Sequence, residues 1–160
     1  MNEVRVGVIG LGNMGQPIAE NLLRAGFPTT VYDLRPAAVE ALRCAGAVAA
    51  ASPAALAGRS ELVLLVVPDS GAVRQALFGR NGAARAASRG SVIVDMTTGD
   101  PRHSTRFADR LAKRGIAYLD SPMTGGATGA KAGRLLFMVG GDPGVYRRCL
   151  PVLERIGKRA

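Results

Sequence analysis

The sequence predicts an α/β fold with a doubly wound, mostly parallel sheet. Apolar runs of strand length alternate with stretches of helical periodicity along the 160 residues. The run Leu62-Val63-Leu64-Leu65-Val66-Val67 is apolar on both faces, which suits a central parallel strand covered on both sides. Most strand candidates give way to Gly, Pro, Asp or Ser, the residues that turn a strand end into a loop. An apolar fraction of 48% without low-complexity tracts fits one globular domain over residues 1–160, long enough to bury about two-thirds of its extended-chain surface.

Val4-Arg5-Val6-Gly7-Val8-Ile9 reads as the first strand, and Gly10-Leu11-Gly12-Asn13-Met14-Gly15 follows without a gap. Ile18, Leu22 and Ala25, widened by Ala19 and Leu23, then mark a helix. Strand, glycine turn and helix in this order make a dinucleotide cradle of the Rossmann type. Gly10 permits the tight turn. Gly12, lacking a Cβ, lets the backbone approach a pyrophosphate, and Gly15 lets the helix lie close to the sheet, with its first N–H groups facing the phosphates. The second strand, Thr29-Thr30-Val31-Tyr32, ends in Asp33. That is about 20 residues past the glycine turn, where a carboxylate accepts hydrogen bonds from an adenosine ribose. The same carboxylate repels a 2′-phosphate, so NAD is the expected cofactor and NADP the alternative, with Arg35 as the counterweight.

A helix is expected from Pro36 to about Cys44, closed by Gly46, then a short strand over 47–51. Ser52-Pro53 reads as the cap and first residue of a brief helix. Pro68 and Asp69 end the central strand, and Ser70 is expected to cap a helix over 71–77. Pro68 either borders the cofactor, since open sheets bind ligands beyond the carboxyl ends of their central strands, or simply stops the strand. Ser91-Val92-Ile93-Val94-Asp95 is the next strand, and Met96-Thr97-Thr98-Gly99-Asp100-Pro101 a polar turn in which Asp100 caps a helix. The Thr97 and Thr98 hydroxyls read a substrate carboxylate or the nicotinamide side of a cofactor, or they only form the turn. His103, without a carboxylate to orient it, is expected at the surface or as a capping residue.

Residues 116–119 form a further strand, and Asp120-Ser121-Pro122-Met123-Thr124-Gly125-Gly126 opens a long glycine-rich loop carrying Gly129 and Gly133. A strand over 135–139 follows. Asp142 and Pro143 start a last helix, expected over 144–150 and broken near Pro151. The stripe Val152, Leu153 and Ile156 is expected to face something outside the chain.

Composition excludes several functions. The net charge of +9 rests on 21 basic residues of which only Lys113, Lys131 and Lys158 are lysines. The arginines are dispersed and aromatics are 4%, so neither a basic stripe nor a stacking platform for nucleic acid is present. No apolar run is long enough to span a membrane, and the start with Asn2 and Glu3 is unlike a secretion signal. Cys44 and Cys149 have no disulfide or metal spacing, and the single histidine leaves no metal cluster. The cytoplasm is the expected compartment.

Four stretches together resemble the β-hydroxyacid dehydrogenase family, which includes 3-hydroxyisobutyrate dehydrogenase, tartronate semialdehyde reductase and 6-phosphogluconate dehydrogenase. They are Gly10-Leu11-Gly12-Asn13-Met14-Gly15-Gln16-Pro17, Asp95-Met96-Thr97-Thr98-Gly99-Asp100-Pro101, the segment from Asp120 to Gly126, and Gly129 through Met138-Val139-Gly140-Gly141. The resemblance implies that Leu11, Asn13 and Met14 line the pyrophosphate turn, with Pro68 by the nicotinamide. Thr98 would face cofactor and substrate. Thr124, Gly125 and Gly126 would hold the carboxylate of a small 3-hydroxy acid, Thr124 standing where the family has serine. It also implies a proton-transferring lysine beyond Lys158 and an all-helical second domain that makes homodimers. Neither has a counterpart in residues 1–160, so the chain is expected to be the cofactor half of such a dehydrogenase and inactive alone. An imine reductase cofactor domain and a non-catalytic redox-sensing module are the alternatives.

Overall fold

The computed structural model describes residues 4–158, so Asn2 and Glu3 lie outside the described residues. Six parallel strands form the main sheet: β1 (Val6–Ile9), β2 (Thr29–Tyr32), β3 (Val48–Ala49), β4 (Leu62–Leu65), β5 (Val92–Asp95) and β6 (Ala117–Asp120). Their order, β3-β2-β1-β4-β5-β6, reverses direction between β1 and β4. This is the expected doubly wound α/β sheet. A crevice opens where the order reverses, because the connections on either side lead away to opposite faces.

The side-chain alternation of β4 shows how the core is divided. Leu62 and Leu64 join one cluster with Ile18 and Leu22 of α1 (Gly15–Arg24) and Leu42 of α2 (Pro36–Cys44). Val63 and Leu65 join the other, with Leu56 of α3 (Pro53–Ala57), Leu77 of α4 (Ser70–Phe78), and Phe107 and Leu111 of α5 (Pro101–Ala112). All four β4 residues are buried, as a central parallel strand requires. The strand ends at Leu65 rather than Val67. Val67 donates its N–H to the Thr97 side chain instead of to a neighbouring strand, so the ladder stops and residues 66–67 become wall of the crevice.

Three further expectations are corrected. Asp69, not Ser70, caps α4: its Oδ1 accepts the Ala72 N–H at 2.8 Å, while Ser70 Oγ accepts the Asp100 N–H at 3.2 Å. The glycine-rich stretch is not all loop, since it holds β7 (Met123–Thr124) and α6 (Gly126–Ala132). This helix of small residues lies against α1, where the Asn21 side-chain amide donates to the Ala130 carbonyl at 2.7 Å, and Gly133 ends it in the left-handed conformation. The last helix, α7 (Pro143–Ile156), runs straight through Pro151. Val152, Leu153 and Ile156 are buried in the main cluster with Cys149, so the stripe faces this chain's own core. Each such burial contributes roughly 1.5–3 kcal/mol, together more than the ~3 kcal/mol an interior proline costs.

The expected 135–139 strand is shorter, β8 (Leu135–Phe137). With β7 antiparallel and β9 (Gly157–Lys158) parallel to it, it makes a separate small sheet. Where β6 leads into β7, Ser121 is fully buried and its Oγ has no hydrogen-bond partner among the described residues. A hydroxyl that loses hydration without gaining a bond destabilises. Ser121→Ala is therefore expected to hold or raise stability by about 1 kcal/mol. Urea melts check this, and a clear loss of stability would disprove it.

Candidate dinucleotide site

The glycine turn begins as β1 ends. Gly10 has φ +93°, a conformation that side-chain-bearing residues avoid, and its N–H donates to the Tyr32 carbonyl at 2.9 Å. A Cβ on Gly10 would collide with the Val66 carbonyl oxygen, and one on Gly15 with the Gly10 carbonyl oxygen. Both glycines are thus required by packing. Gly12 differs: a Cβ there would meet nothing within 4 Å, and its φ is not positive. The protein's own packing gives no reason for glycine at 12, whereas a pyrophosphate against the backbone does. Behind it α1 starts with no side-chain cap at Met14 and no acidic residue in its first turn, leaving the positive end of the helix for an anion.

Asp33 anchors the next part. Its Oδ2 accepts the Leu11 N–H at 2.7 Å, and its Oδ1 accepts the Arg35 N–H at 2.8 Å and Arg35 Nε at 3.1 Å. Arg35 Nη2 also donates to the Leu11 carbonyl at 3.0 Å. Partial burial alone would raise the Asp33 carboxyl. The bonds from the Arg35 side chain, the Leu11 N–H and the Arg35 N–H outweigh it and hold the group below the usual carboxylate range. The carboxylate is therefore anionic at neutral pH.

These groups border a cleft of about 950 Å³ along the carboxyl ends of the strands. Of the residues singled out in the sequence, Gly10, Gly12, Asn13, Met14, Gly15, Asp33, Arg35, Pro68, Thr97 and Thr98 line it. Leu11 does not line it: the residue is 1% exposed in the core, and its N–H and carbonyl are bonded to Asp33 and Arg35. The two threonine hydroxyls divide: Thr97 is buried and accepts the Val67 N–H at 3.4 Å, while Thr98 is exposed at the cleft. Thr124, Gly125 and Gly126 lie just past the cleft wall, which Met123 forms. Gly125 (φ +123°) and Gly126 (φ +60°) make the entry to α6. His103 packs edge-on against Phe107 at 6.0 Å and takes no part in the lining.

Sequence reading missed part of the lining, Pro53, Ala72, Gln75, Ala76, Arg80 and Asn81. The only signal was faint: Ala72, Gln75 and Ala76 share one face of α4 at three- and four-residue spacing, with small residues where a ligand would need room. Among the described residues no group of His, Cys, Asp and Glu is placed to hold a metal ion, and no helix is long and apolar enough to cross a membrane.

The family model for the NAD binding domain of 6-phosphogluconate dehydrogenase matches residues 5–160. The chain belongs to this NAD(P)-binding family. It is 41% identical over 155 residues to the 2-hydroxy-3-oxopropionate reductase of Escherichia coli (strain K12), covering 97% of this chain and 53% of that protein. Among solved structures, the 3-hydroxyisobutyrate dehydrogenase of Salmonella typhimurium superposes with a TM-score of 0.93 at 34% identity, over 98% of this chain and 55% of that one. The Streptomyces aurantiacus imine reductase superposes with a TM-score of 0.87 at 29% identity, over 97% and 53%. The chain spans about half the length of the relatives it matches. The open Gly12 position, the uncapped α1 and the anionic Asp33 fit the family's dinucleotide, so this is an NAD(P)-binding domain related to those of the 3-hydroxyacid dehydrogenases.

Proposed function

We propose that this chain is the NAD-binding part of an oxidoreductase that moves a hydride between the nicotinamide and a small 3-hydroxy acid. The observation that supports the cofactor reading is Gly12, a glycine that neither packing nor backbone conformation requires. Gly10, Gly12, Asn13, Met14 and Gly15 would hold the pyrophosphate, with Leu11 packed in the core beneath the turn, Asp33 the adenosine ribose, and Pro68 and Thr98 the nicotinamide end. Thr124, Gly125 and Gly126, beside that end, would take the acid group. The cofactor supplies the hydride, and the chain supplies position and electrostatics. The substrate class is supported by the relatives, which are named for 2-hydroxy-3-oxopropionate and 3-hydroxyisobutyrate, both small carboxylic acids. Imine reduction is the second reading, favoured by the likeness to the Streptomyces aurantiacus structure at lower identity. The cytoplasm is the proposed compartment.

NAD is favoured over NADP because the guanidinium that would receive a 2′-phosphate is engaged elsewhere. Arg35 is bonded to Asp33 and to the Leu11 carbonyl, so it neutralises the carboxylate more than it reaches outward. A 2′-phosphate would bring about two negative charges against Asp33. Calorimetric titration at one ionic strength should show NAD bound at least about tenfold more tightly than NADP, and Asp33→Ala should largely erase that ratio. The ratio is insensitive to any common loss of folded protein. Tighter binding of NADP by the unmodified chain, or an unchanged ratio in the variant, would refute the preference.

A further inference from the structure

We propose that Asp95 is a positioning residue that holds the nicotinamide end of the cleft in shape by tying the ends of β4, β5 and β6 together. This rests on the dinucleotide reading given above. Asp95 closes β5, is 4% exposed, and lies outside the cleft lining, so it touches no ligand itself. It nonetheless bonds in three directions. Oδ1 accepts the Thr97 N–H at 3.0 Å, fixing the turn that presents Thr98. Oδ2 accepts the Tyr118 hydroxyl of β6 at 2.6 Å. The main-chain oxygen accepts the Ser121 N–H at 2.7 Å, at the start of the segment that delivers Met123. Thr97 Oγ1 passes the connection on to the Val67 N–H beside Pro68.

The residue type supports more than turn formation. A short hydroxyl or amide would cap the Thr97 N–H equally well. A carboxylate at this depth costs desolvation, and no cation offsets it: the described ion pairs involve Asp33, Glu40, Glu61 and Asp100. Its register partner on β6 is a second carboxylate, Asp120, whose backbone pairs with Gly140 in both directions. Burial pushes the Asp95 carboxyl up and the Asp120 charge adds to this, while the bonds from Tyr118 and Thr97 oppose it. What the carboxylate gives in return is an acceptor at each oxygen, so that the Thr97 turn and β6 are held by the same group. Asparagine would present a donor at one of the two positions, and one link would be reversed or lost.

The test uses the 160-residue chain, Asp95→Asn and Tyr118→Phe, each titrated calorimetrically with NAD and with ADP-ribose, which has the adenosine and pyrophosphate but no nicotinamide. Positioning predicts that Asp95→Asn weakens NAD binding about tenfold while ADP-ribose affinity moves by less than about twofold. Tyr118→Phe should shift NAD in the same direction by less, and it decides the matter if the asparagine variant does not fold. A purely structural role would weaken both ligands together. Equal losses, or no selective loss of NAD, overturn the inference while leaving the dinucleotide reading intact. Binding of neither ligand by the unmodified chain overturns both.

Discussion

Gly12→Val is expected to leave the thermal midpoint of the chain unchanged and to weaken dinucleotide binding about a hundredfold or more. The two halves of this expectation have separate origins. Gly12 is exposed, a Cβ there meets nothing within 4 Å, and its φ carries no strain, so the fold has room for a side chain. A pyrophosphate seated on the turn would lose its approach to the backbone N–H groups. Bonds of that charged kind contribute about 1.5–3 kcal/mol each, and two of them amount to a hundredfold or more. Gly15→Ala is the control with the opposite cause. Its new methyl would strike the Gly10 carbonyl oxygen, so α1 must shift and stability should fall by about 1–3 kcal/mol along with binding. Parallel melts and titrations separate the two, and tight binding by Gly12→Val would remove the main support for the dinucleotide site.

The second large effect is an absence of turnover. The 160-residue chain is expected to bind cofactor yet convert 3-hydroxyisobutyrate, glycerate or tartronate semialdehyde no faster than background. The end of the cleft proposed for the nicotinamide is lined by Pro68, Met96, Thr97, Thr98 and Met123, none of which exchanges a proton near neutral pH. Lys131 is on the exposed side of α6, away from the lining, and His103 is against Phe107. Lack of a positioned general acid or base costs about 10²–10⁴-fold, and a pocket without one also fails to orient the hydroxyl. Steady-state assays with both cofactors measure this directly, and robust turnover of any of the three acids would refute it.

Much of the cofactor cradle was legible in the sequence because its demands are local. A turn at positive φ, a helix laid against its own preceding turn, and a carboxylate at the end of the next strand each restrict residue type within a few positions of themselves. Gly10, Gly15 and Asp33 could therefore be read before any fold was known. The central place of β4 was equally visible, since a strand covered on both faces must be apolar at every position. What remained hidden depends on which distant segments meet. Asp95 reads as the last residue of a strand, and only the register of β5 against β6 gives it Tyr118 and Ser121 as partners. Thr97 and Thr98 are neighbours of the same chemical kind, both at the cleft, and the course of the chain after β4 buries one with its oxygen accepting the Val67 N–H and leaves the other exposed. The apolar stripe of α7 showed that it would be buried but not against what, because hydrophobic burial has no direction in sequence. The docking of α7 on the main core decided that, and with it the passage of a helix through Pro151.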